Sequence, residues 1–157
     1  MAGGLWGVWA LSLTVCSSAA SAGGPDYGKR AQALDPSLRI QLVGKWTNPV
    51  DSVVIEITSV DLVSGQLRGK EWPTTGPAAG NEHELVGWVS AGPAQEGFDN
   101  VVAVSFSTTL YEYGTLPVWA GFVRDNKIIT MHYLVWPVRR YPWDHVSTFQ
   151  ETWSRIP

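Results

Sequence analysis

From Ile40 onward the chain never sustains a helical period. Short apolar or alternating runs follow one another at about 41–47, 52–59, 66–72, 83–90, 99–109, 117–124, 127–136 and 145–155, each broken by glycine, proline, asparagine or aspartate. Alternation with a period of two sends successive side chains to opposite faces, so each run reads as a strand with one face for a core. Most of the links between runs, among them "DLVSG", "YEYGT" and "RDN", are of hairpin length. Strands joined in sequence by hairpins predict an all-β chain folded as an eight-stranded antiparallel up-and-down β-barrel. Such a barrel fills with side chains or holds one small ligand. A two-sheet sandwich is the alternative, but it needs longer crossovers than these links supply.

The N-terminal part differs in character. Residues 1–22 are uncharged and run from "LWGVWALSLTVC" into "SSAASA", with a small-residue site at Ala20-Ser21-Ala22. This is the pattern of a secretory signal peptide cleaved after Ala22, which predicts a secreted, extracellular protein. A membrane anchor is the competing reading, yet the apolar stretch falls short of the roughly 20 residues a span requires. Cys16, the only cysteine, lies in this segment, so the mature chain is held by its core or by self-association rather than by a disulfide. Residues 23–39, rich in turn formers, read as a flexible arm with a short helix conceivable over 29–34, and 40–157 as the barrel domain. The net charge of −3 comes without acidic or basic blocks, so neither nucleic acid nor a membrane surface is implied as a partner.

Beyond residue 22 the chain carries Trp46, Trp72, Trp88, Trp119, Trp136, Trp143 and Trp153. Indoles in this number either fill a core or line a box around a flat apolar ligand. Trp143 fits the second role better, since it sits in the polar turn "RRYPWDH".

The segments "LVGKWTN", "VWAGFV", "IITMHYLV" and "WDHVSTFQETWSRI" together resemble the avidin and streptavidin family of biotin-binding barrels, over roughly Leu42 to Ile156. The resemblance implies a non-enzymatic, secreted binder of biotin or a biotin-like ligand, without a cofactor, that self-associates as a homotetramer or homodimer. It places Trp46 at the barrel floor, and Asn48, Val50 and Ser52 on the ligand side, with Asn48 and Ser52 as donors to the ureido carbonyl. Phe106, Trp119 and Leu134 become pocket walls, Trp153 the pocket floor, and Trp143 the loop aromatic that covers a neighbouring subunit's site.

The polar set departs from the family pattern. Glu71 aligns without gaps with the family's tyrosine donor and Pro73 with a hydroxyl acceptor, whereas a one-residue bulge brings Trp72 and Thr74 to those places. His132 replaces a wall tryptophan, Glu151 replaces an asparagine or aspartate, and Thr108 and Thr109 remain as hydroxyls for the ligand carboxylate. These replacements predict weakened binding. The alternative is an avidin-like oligomeric barrel that has lost biotin and serves a structural or protein-interaction role. Catalysis by Glu71, His132 and Glu151 is a third possibility that no motif in the sequence supports.

Overall fold

The computed structural model describes residues 34–50, 52–92 and 96–157. The signal peptide and most of the arm expected at the N-terminus lie outside these residues. Strands β1 (Gly44–Asn48), β2 (Val53–Val60), β3 (Gln66–Pro73), β4 (His83–Ser90), β5 (Val102–Ser107), β6 (Leu116–Arg124), β7 (Lys127–Val135) and β8 (Val146–Arg155) pair in sequence order into a closed antiparallel barrel. Closure runs through β1 and β8, with Trp46 opposite Arg155 and Thr47 opposite Ser154. The expected up-and-down barrel is the fold, and the sandwich alternative is set aside.

The run expected as a strand at 41–47 changes type. Its first residues end a short helix, α1 (Ser37–Leu42), and only its remainder opens β1. Leu38 is buried, so the end of the segment expected to be a loose arm packs against the barrel instead, together with Leu42 from the following run. Arg155 ties this end down. Its guanidinium lies over the Trp46 ring, 5.5 Å from the centre, and donates to the carbonyls of Ile40, Gln41 and Val43.

Two turns set the registers that matter for the interior. Asp125 and Asn126 both have left-handed backbones, with φ of 50° and 57°, between the paired residues Arg124 and Lys127. That is a two-residue hairpin whose twist matches its strands. Ser52 is also left-handed, with φ of 54°. Strict alternation from an inward Ser52 would turn Ile55 and Ile57 outward, but the turn at Ser52 breaks the phase and both isoleucines join the core. A bulge between Ile57 and Ser59 then brings Val60 inside as well.

The core is formed by Trp46, Ile55, Leu67, Leu85, Phe106, Trp119, Ile128 and Trp153 with their neighbours. Helix α1 precedes one end. The other end is a mouth, framed by the β1–β2, β3–β4, β5–β6 and β7–β8 links.

Candidate functional site

Aromatic rings and buried polar groups meet inside the barrel. Opposed pairs across β5, β6 and β7, Phe106 with Trp119 and Trp119 with His132, place these rings on one inner face. Phe106 and Trp119 stack with centroids 5.2 Å apart, and the His132 imidazole lies on the other flank of Trp119 at 4.6 Å. Trp153 meets Phe106 and Trp119 edge-on, at 6.0 and 5.8 Å. Its indole N–H donates to the Thr130 hydroxyl at 3.1 Å. These offset and edge contacts are the arrangements that aromatic quadrupoles favour.

Two buried carboxylates sit among these rings, each joined to a histidine. Glu151 accepts the Trp119 indole N–H on Oε2 at 2.8 Å, and its Oε1 is 2.6 Å from His132 Nδ1. Glu71, 2 % exposed, bonds His83 Nδ1 through Oε2 at 3.1 Å. His83 Nε2 in turn lies 2.9 Å from Glu112 Oε2, and Glu112 Oε1 accepts from Asn81 Nδ2 at 3.0 Å. One buried imidazole therefore links β3, β4 and the β5–β6 link, and through Glu112 reaches the β3–β4 link.

The electrostatics follow from this layout. Burial pushes the Glu71 carboxyl above its ordinary range, and the His83 charge only partly offsets this. Burial works against a charged His83, yet the hydrogen bonds and charges of Glu112 and Glu71 together outweigh it and raise its pKa. The Glu112 carboxyl is held below its usual range by its own backbone N–H and then by His83.

The expected site residues divide into two groups. Asn48, Glu71, Phe106, Thr108, Trp119 and Glu151 are buried, and His132 and Leu134 are partly so. Asn48 Oδ1 accepts from Val50 N at 3.0 Å, folding the β1–β2 link over the strand end. The others stand apart from the interior. Register along β3 is unbroken from Leu67 to Pro73, so the bulge that would have turned Trp72 and Thr74 inward does not occur. Trp72 is partly exposed, with the Lys45 ammonium over its ring at 5.7 Å. Thr74 donates through both N–H and hydroxyl to the Ser52 carbonyl, at 2.7 and 2.9 Å, so these two residues form a rim turn. Val50 and Thr109 are exposed. Trp143, 75 % exposed, stacks on Tyr141 with ring centres 5.1 Å apart, clear of the interior of its own chain.

Sequence reasoning did not single out His83, Glu112, Thr115 or Thr130 as site residues. His83, Thr115 and Thr130 are buried polar groups. His83 is in phase with Leu85 and Val89, and Thr130 with Ile128, so the alternation that places core residues marks them too. Thr115 and Glu112 lie in a link, where periodicity gives no signal. A hollow of about 330 Å³ opens near the β6–β7 turn, lined by Gln41, Asn100 and Arg124 among others. It is polar and open, and it lacks the buried carboxylates and rings of the mouth.

Comparison with known proteins agrees with the barrel fold. Core-bradavidin superposes with a TM-score of 0.59 at 22 % identity, covering 70 % of this chain and 96 % of that one. A shwanavidin variant in complex with biotin gives 0.56 at 23 %, covering 73 % and 97 %. A biotin-binding protein from chicken gives 0.58 at 19 %, covering 75 % and 99 %. Among curated proteins no sequence relative was found. The profile of the avidin family matches residues 37–156, three quarters of the sequence, and the chain belongs to that family.

Proposed function

We propose that the mature protein is a secreted, non-enzymatic binder of biotin or a biotin-like ligand, held in the barrel mouth with weakened affinity. The carrying observation is Glu151, a buried carboxylate fixed by Trp119 against a wall of stacked rings. A carboxylate so placed accepts a ligand N–H in a dry setting, where a hydrogen bond counts for more than in water. The weakening has a cause of its own. Glu71 stands with its carboxylate engaged by His83 at the place where the family resemblance expects a neutral donor. Thr74 lies in the rim turn with Ser52, so its hydroxyl does not take the acceptor place that a bulge in β3 would have given it. Each lost contact costs about 1–3 kcal/mol, so several powers of ten in affinity can go while useful binding remains.

Titration of the protein lacking residues 1–22 with biotin, followed by tryptophan fluorescence, tests this. Saturable quenching by biotin, and none by an analogue without the ureido ring, is the expected result. No response to either compound overturns it.

A second reading, an oligomeric barrel working through its outer surface, is favoured by one separate feature. The outward pairs of β6 and β7, Leu116 with Val135, Val118 with Tyr133, Ala120 with Met131 and Phe122 with Ile129, are all apolar. A continuous apolar sheet face suits burial against a second copy, and we assign the self-association of this chain, as homodimer or homotetramer, to it. The two readings are compatible until biotin fails to bind.

A further inference from the structure

Thr108 Oγ1 and His132 Nε2 are buried side-chain atoms without a hydrogen-bond partner among the described residues, and both line the mouth. Thr108 follows β5 on the inner face two positions beyond Phe106, and His132 faces Trp119 from β7. A third such atom, Trp136 Nε1, belongs to the β7–β8 link, where Arg139 covers the indole. Buried polar groups are otherwise paired almost without exception, so two orphans in one mouth ask for a partner from outside the chain.

The chemistry at His132 can be taken further. Its Nδ1 is 2.6 Å from Glu151 Oε1, while the other oxygen of Glu151 receives the Trp119 N–H. With Glu151 as the carboxylate that accepts from Trp119, the proton of the short contact belongs on Nδ1. With Nδ1 protonated, the neutral ring presents a bare lone pair at Nε2. A proton there as well would bury a cationic N–H with no acceptor, and orphaned buried N–H groups are rarer than under-used acceptors. Glu151 thus sets the tautomer of His132 in the way that a carboxylate orients a metal-ligating or catalytic histidine.

We propose that His132 is a specificity-determining residue of the ligand site: its Nε2 accepts a hydrogen bond from a ring N–H of the ligand, and Thr108 Oγ1 answers a second polar atom across β6. This rests on the reading that the mouth holds a small heterocycle. Strands lie about 4.8 Å apart, so β5 and β7 are separated by about 10 Å, which a fused-ring ligand with a short polar tail bridges. A flat hydrophobic ring at position 132 could only stack. An imidazole that stacks on Trp119 and also accepts a hydrogen bond selects ligands carrying an N–H over isosteres without one, because a mismatched ligand leaves Nε2 buried and unpaired.

The experiment combines two readouts. Nitrogen-15 spectra of histidine in the ligand-free wild-type protein report the tautomer directly. The expected spectrum for His132 has a protonated Nδ1 and a bare Nε2 that shifts when biotin is added. Affinities of wild type and His132→Phe are then compared for biotin and for biotin methylated on a ureido nitrogen. Wild type is expected to prefer biotin by about tenfold or more, and His132→Phe to lose about tenfold for biotin alone, the worth of one hydrogen bond in a dry site. Equal losses for both ligands, or a bare Nδ1, overturn the inference. If biotin fails to bind wild type, the biotin reading falls, and imidazolidin-2-one at millimolar concentration serves as the ring N–H donor. A shift of Nε2 with that probe supports the role of His132, and no shift overturns it. The spectra use the wild-type chain, so the test stands even where the variant folds poorly.

Discussion

His83 holds two carboxylates with one ring, and removing it should expose the dependence of this barrel on its interior charge. In His83→Leu the Glu71 carboxylate, with a side chain 3 % exposed, loses its partner while staying buried. Breaking a buried pair in this way costs about 3–5 kcal/mol when the remaining group must stay charged. Glu71 has an escape, since burial already favours its protonated form. Each pH unit by which the solution lies above its folded pKa costs about 1.4 kcal/mol. The expected loss at pH 7 is therefore about 3 kcal/mol, equivalent to a fall in Tm of about 10 °C for a domain of this size.

The pH profile is the sharper test. In wild type, His83 is raised above its ordinary 6.5, so its contribution is complete below that value and is lost as pH rises through the folded pKa. Glu71, raised above 4.5, acts in the same direction at lower pH. Glu112, lowered from 4.5, contributes above that value and loses its effect as pH falls, weakly because it is exposed to solvent. In His83→Leu the buried Glu71 must ionise alone, so the deficit relative to wild type grows as pH rises above 4.5. Above 6.5 it narrows, because wild type loses the His83 contribution as pH approaches its raised folded pKa. Urea unfolding of wild type, His83→Leu, Glu71→Gln and the double variant at half-unit intervals measures this. The double variant should recover most of the deficit. A deficit independent of pH, or strictly additive losses, refutes the coupled buried pair.

Two other substitutions probe the barrel itself. A Cβ on Gly121 would stand 1.9 Å from the Ile129 carbonyl oxygen and 2.7 Å from Thr130 Cα, so Gly121→Ala must part β6 from β7. A loss of about 3 kcal/mol is expected, read as a lower urea midpoint with unchanged m value. Met131→Glu sets a charge in the middle of the apolar face of β6 and β7, and sedimentation should show a smaller species whose unfolding free energy lies within about 0.5 kcal/mol of the wild-type chain at matched dissociation. Unaltered assembly would remove that face as the contact.

The strands were legible because period-two alternation and turn residues agree along most of the chain. "RDN", for example, supplies the left-handed pair at Asp125 and Asn126 that a two-residue hairpin requires. Helix α1 was hidden, since six residues carry too few turns to show a helical period, and its buried positions Leu38 and Leu42 also fit a strand start. Alternation alone left the facing of Ile55 and Ile57 open between an outward face and a register reset after Ser52, and the left-handed Ser52 supplies the reset. Alternation passes the phase of one residue to all that follow, so one turn decides a whole face.

The site obeys the same logic at higher stakes. Whether Glu71 or Trp72 faces the interior was undecided by sequence, and the unbroken β3 register settles it in favour of the carboxylate. An inward Glu71 needs a partner, and the only buried histidine opposite it on β4 is His83, paired with it across the strands. That cross-strand pair in turn requires a second acceptor for the far nitrogen, which Glu112 supplies from a link no periodicity could have placed. That chain of inward polar partners ends on Asn81, and the separate chain from Trp119 through Glu151 ends on His132, whose Nε2 is left without a partner, as is Thr108 Oγ1. Two buried polar atoms left without a partner give this mouth the polarity of a site built for a ligand.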